Sequence, residues 1–117
     1  MSMQQQAFQK FLDDQRAEYR RQLPEKMAQI QTLWQAVAAG GEAAVPALAD
    51  LERMAHTLAG TAGTLGFREA GLAAKELELL LAQAGESGPS FPLAASPDIV
   101  LAMAALQASL PSDTSLS

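Results

Sequence analysis

Residues Met54 to Phe67 read Met-Ala-His-Thr-Leu-Ala-Gly-Thr-Ala-Gly-Thr-Leu-Gly-Phe. The stretch holds His56, the only histidine of the chain, and three of its eight glycines, Gly60, Gly63 and Gly66. Leu51, Ala55, Leu58, Ala62 and Leu65 follow one another at alternating steps of four and three, which is helical spacing. A glycine inside a helix costs roughly 1 kcal/mol relative to alanine. Three of them, close together after a lone histidine, need a reason other than helix stability.

Helical geometry supplies one. At about 100° per residue, Leu58 points roughly 160° away from His56. If Leu58 faces a core, His56 faces solvent. Ala49, Arg53, Gly60 and Gly63 then share the histidine's ridge, so the imidazole stands beside backbone without side chains. That leaves room for a second protein to close over it. An exposed imidazole, with a reference pKa of about 6.5, is a good nucleophile near neutral pH. Histidine can carry a covalent phosphoryl group. A neighbouring acceptor must then hold the proton of the other ring nitrogen and fix the tautomer. If the next helix folds back at Gly66, equidistance sets His56 opposite Glu76, with Glu78 about half a turn further. Both acids, and Lys75 beside them, stay open at this level.

The flanking segments also read as helices. From Gln4 to Ala39, Phe8, Phe11, Leu12, Tyr19, Leu23, Met27, Ile30, Leu33, Trp34 and Val37 form an apolar stripe. Pro24 predicts a kink or a split there, because proline removes a backbone bond and clashes with the preceding turn. The stripe stays nearly in phase across it, which favours a kinked continuation. Gly40-Gly41 closes this helix. The second starts within Glu42–Pro46 and runs to about Leu65, with Val45, Leu48, Leu51, Ala55, Leu58, Ala62 and Leu65 toward the core. A third covers Arg68 to Ala84, its apolar side made of Leu72, Leu77, Leu79, Leu80 and Leu81. Gly85–Ala95 reads as a linker. Ser96-Pro97-Asp98 is a helix start, with Ser as cap and Pro at the first position. Ile99, Met103, Leu106 and Leu110 form the last stripe, and Pro111 stops it. Four amphipathic helices with short connections predict an all-α antiparallel four-helix bundle over residues 1–111, with 112–117 as a polar tail.

Composition removes several function classes. The net charge of −5 and the lack of a basic stripe argue against nucleic-acid binding. The chain has no cysteine, which removes disulfides and thiolate metal sites and fits a cytoplasmic setting. Met-Ser-Met-Gln-Gln-Gln lacks the pattern of a signal peptide, and no apolar run approaches the ~20 residues of a membrane span. Gly60–Gly66 is not followed by Gly-Lys-Ser/Thr and no strand precedes it, so a nucleotide loop is not expected.

His56-Thr57-Leu58-Ala59-Gly60, with Gly66 ten residues after the histidine, resembles the signature of histidine-containing phosphotransfer (HPt) domains, His-x-Leu-Lys-Gly followed by a second glycine. Thr61–Phe67 is similar to a common bacterial variant, and the order and length of the helices match over most of the chain. The resemblance implies a four-helix bundle with an exposed histidine, His56, phosphorylated at Nε2. It implies a phosphoryl carrier in a two-component phosphorelay rather than an enzyme. Its partners would be a response-regulator receiver domain and a hybrid histidine kinase, with Mg²⁺ in the receiver and no cofactor or metal of its own. The family often places Glu or Gln on the next helix, commonly 22 residues after the histidine. That position is Glu78, and the resemblance thereby favours it over Glu76. One departure stands out: Ala59 occupies the position of the family's frequent lysine. Arg53 and Lys75 are the candidates to replace it; if neither does, phosphohistidine is less stabilised and transfer is slower or depends more on the partner's cations.

Plainer readings stand beside these. Gly63, and less so Gly60, can be helix-packing sites, and Gly66 is a turn residue. Phe8, Phe11, Tyr19 and Trp34 are most simply core, or in part an apolar rim for a receiver. A non-transferring docking or adaptor module is the alternative function, favoured by Ala59. The expected solution state is a monomer.

Overall fold

The computed structural model describes residues 2–86 and 97–110. Regular structure among them is entirely helical: α1 Met3–Ala39, α2 Ala44–Thr64, α3 Arg68–Glu86 and α4 Pro97–Ala108. Ser96, Pro111, the tail and the linker from 87 onward lie outside the described residues. Gly85, expected in the linker, belongs to α3.

The two ends of α1 have local causes. Ser2 caps α1: its Oγ accepts the Gln5 N–H at 3.1 Å and its own N–H donates to Gln5 Oε1 at 3.1 Å. Pro24 lies inside α1 without dividing it, so the split does not occur. Pro24 and Arg20 are both exposed. The Arg20 carbonyl that loses its partner at Pro24 therefore opens to water rather than into a core. Gly40 and Gly41 end α1 at φ 74° and 80°, a backbone region that glycine enters without a steric cost.

α2 and α3 share the most extensive interface, with α1 packed on α2 and α4 on α3. Leu51, Ala55 and Ala62 of α2 and Ala74, Leu77 and Leu81 of α3 have no exposed surface. Leu23, Ile30 and Val37 of α1, with Ile99, Met103 and Leu106 of α4, complete the core, and Leu110 packs against it. Burying one such side chain contributes about 1.5–3 kcal/mol.

Five expected core positions lie elsewhere. Phe8 and Phe11 are 61% and 55% exposed, because α1 is far longer than α2 and no described helix lies beside its first turns. At 1.5 Å per residue, α1 runs about 55 Å against about 30 Å for α2. Tyr19 is buried and Trp34 partly so. Val45 is exposed, since Ala44, Ala47 and Leu48 take the inward positions of the first turns of α2. Leu72 and Leu79 are exposed as well, because the inward face of α3 is Ala70, Gly71, Ala74, Leu77 and Leu81. Small residues there let the backbones approach, and the leucines off that stripe point out.

The turn between α2 and α3 fixes their register. The Phe67 N–H donates to the Ala62 carbonyl at 2.8 Å and the Gly66 N–H to the Gly63 carbonyl at 3.2 Å. This is a Schellman motif, with Gly66 at φ 92° as its left-handed residue. Arg16 of α1 locks the turn from outside: its Nε–H donates to the Leu65 carbonyl at 2.8 Å. The Tyr19 and Phe67 rings pack with centroids 5.9 Å apart. No helix among the described residues is long and apolar enough to cross a membrane.

Candidate functional site

The hairpin of α2 and α3 sets its two polar ridges side by side. Leu58 is buried, and two residues away the His56 side chain is 70% exposed, as the helical phase requires. Its Nδ1 lies 2.6 Å from Oε2 of Glu78. Glu78 is the better sheltered of the two, at 16% exposed. Lys75 Nζ lies 3.4 Å from its other oxygen, Oε1.

Burial pushes the Glu78 carboxyl upward. The hydrogen bond and charge of His56, and then those of Lys75, outweigh it and hold the group below its ordinary 4.5. Glu78 is thus ionised at neutral pH and can only accept. The proton of a neutral His56 ring then sits on Nδ1 and donates to Glu78. The lone pair is left on Nε2, facing away from the carboxylate.

A cleft of ≈ 520 Å³ lies beside this pair. One wall is the α2 ridge of His56, Ala59, Gly60 and Gly63. The other is α3, with Arg68, Gly71, Leu72, Lys75 and Glu78. A Cβ built on Gly60 or Gly63 would meet nothing within 4 Å among the described residues. The fold itself needs neither glycine bare, and both open onto the cleft.

The expected site residues separate into two groups. His56, Glu78, Lys75, Gly60 and Gly63 come together at the cleft. Arg53 does not line it, and its guanidinium is bonded to Asp50 Oδ1 at 2.6 Å on its own helix. Gly66 is the turn. Glu76 lines a groove between α3 and α4 instead. Two residues of the cleft went unnoticed in the sequence. Gly71 is one: a Cβ there would stand 3.1 Å from the Gly63 nitrogen and 3.2 Å from its Cα, so the close helix contact depends on Gly71. Its spacing from the turn, matching that of Gly63, was the available signal. Arg68 is the other, one heptad before Lys75 and hence on the same face of α3. Among the described residues, no three His, Cys, Asp or Glu side chains cluster as a metal site would need.

The Hpt domain family model matches residues 9–109. The chain belongs to the Hpt domain family. No curated protein and no solved structure matches it. Hpt domains are phosphotransfer modules of two-component phosphorelays and work with receiver domains and kinases, as carriers rather than catalysts. In this Hpt domain the matched segment contains the whole hairpin and the His56 cleft.

Proposed function

We propose that this Hpt domain is a phosphoryl carrier that accepts and donates the group on Nε2 of His56, exchanging it with receiver-domain aspartates. One observation carries the reading: an exposed imidazole, with Nδ1 held by Glu78, lines one cleft with the bare backbone of Gly60 and Gly63. In the forward step the Nε2 lone pair attacks phosphorus of an aspartyl phosphate. The N–P bond forms as the P–O bond to the aspartate breaks, and the aspartate leaves as carboxylate with the bonding pair. No proton has to move, because the Nδ1 proton already faces Glu78. The ring becomes cationic on transfer, and the adjacent carboxylate stabilises that charge. Glu78 is therefore a positioning and electrostatic residue. Gly60 and Gly63 admit the receiver, which brings Mg²⁺ with its aspartate. The carrier acts as a cytoplasmic monomer.

The test incubates the chain with phosphorylated receivers and follows acid-labile, base-stable label. Label is expected on the wild type and absent from His56→Ala, which is decisive because no other histidine exists. Label surviving in His56→Ala refutes the site. Tight receiver binding without label on the wild type would make the chain a docking module instead.

A further inference from the structure

The carrier reading leaves the charge of the phosphoryl group without a counterion on α2, where Ala59 follows the histidine by three residues. The register of the hairpin shows where one stands. His56 pairs with Glu78, and Gly63 with Gly71. The same register, between those two pairs, sets Ala59 opposite Lys75. Both line the cleft, and the alanine methyl leaves its α2 side open. Arg53, the other cation near His56 on α2, is engaged with Asp50.

Lys75 is loosely held. Its Nζ is 3.4 Å from Glu78 Oε1, longer than the 2.6 Å between Glu78 and His56, and its side chain is 55% exposed. A phosphoryl group brings a charge of about −2 near neutral pH into the cleft. At the same moment the imidazole turns cationic and strengthens its own hold on Glu78. Both changes draw the ammonium away from the carboxylate and toward the phosphoryl oxygens. In a chain of net charge −5, a cation beside this histidine is no by-product of a basic surface.

We propose that Lys75 is the phosphoryl-holding cation of this site: it bridges to Glu78 while His56 is free and moves to a phosphoryl oxygen once Nε2 is loaded. The role found on α2 in a chain with lysine at position 59 has here moved across the hairpin to α3. The proposal rests on the carrier reading. Arg68 lines the same cleft but stands ten residues from Glu78, about 15 Å along α3. It is the natural control for a diffuse positive field.

Phosphoramidate, a small P–N donor, loads the imidazole without a partner protein, and ³¹P NMR then follows the ionisation of the phosphoryl group with pH. Lys75→Gln is expected to raise the phosphoryl pKa by about half a unit, the size of one exposed charge contact. Moving the cation back, in the double variant Ala59→Lys with Lys75→Gln, is expected to restore the wild-type value. Arg68→Gln should shift it by less than half as much. An unchanged pKa in Lys75→Gln, no rescue by Ala59→Lys, or an equal shift in Arg68→Gln overturns the proposal and leaves the carrier reading intact. A wild type that takes no label from phosphoramidate or from any phosphorylated receiver overturns the carrier reading itself.

Discussion

At Gly71 a β-carbon would stand 3.1 Å from the Gly63 nitrogen, whereas at Gly60 and Gly63 it would meet nothing within 4 Å. These glycines border one cleft and are bare for opposite reasons. Gly71 serves the seam, where two helix backbones touch. The Cβ directions of Gly60 and Gly63 face the opening, where no described residue lies within 4 Å. A helical glycine costs stability in either place. At the seam that cost is offset inside the fold, by the close contact of α2 and α3. At the opening no contact among the described residues offsets it, which fits the proposed approach of a partner to the cleft.

The contrast can be broken most sharply at Gly60. Gly60→Leu is expected to raise stability by about 0.5–1 kcal/mol through helix propensity. The same change should slow phosphotransfer from a receiver by on the order of 10- to 100-fold, because the partner can no longer seat against His56. Thermal melts and transfer rates measured together test both signs, and unchanged transfer would remove the role given to the opening. Gly71→Ala should act in the reverse sense. The crowded atoms are backbone and cannot swing aside, so overpacking outweighs the gain in propensity and about 1 kcal/mol is lost. That lowers Tm by about 4 °C. A variant as stable as the wild type would show that the seam can open without cost.

The smallest expected effect is electrostatic. The Glu78 carboxyl is held below its ordinary 4.5 in the folded chain. Its contribution to stability is therefore complete above the unfolded value and is lost as pH falls through the folded one. Urea midpoints taken from pH 6 down to pH 3 should fall for the wild type with a component that Glu78→Gln lacks. That component is on the order of half a kcal/mol. Parallel curves would mean that the pair with His56 adds nothing to the folded state.

Much of this was legible in residue types. The phase of Leu58 places His56 in solvent, and the alternating spacing of Leu51, Ala55, Leu58 and Ala62 marks the buried face of α2. Other positions misled for definable reasons. Leu72 and Leu79 carry the hydrophobicity expected of a core, yet Ala70 and Ala74 occupy it, because close helices select for size before apolarity. Phe8 and Phe11 continue the stripe of α1, but a stripe does not tell where the neighbouring helix ends. Geometry centred on Gly66 pairs His56 with Glu76. The Schellman turn is centred one residue later, at Phe67, which moves the partner two residues to Glu78. Family spacing anticipated Glu78, and the turn explains it.

That turn has a consequence for how the sequence can vary. Connections at a protein surface ordinarily accept insertions readily. Here, an extra residue between Gly66 and Arg68 would carry every later side chain of α3 about 100° around its axis and about 1.5 Å along it. Glu78 would leave Nδ1, Lys75 would leave its place opposite Ala59, and Gly71 would rotate out of the seam. The loop makes none of the chemistry and contributes no side chain to it. It is nevertheless a ruler, and its length is as much a determinant of this site as the histidine itself.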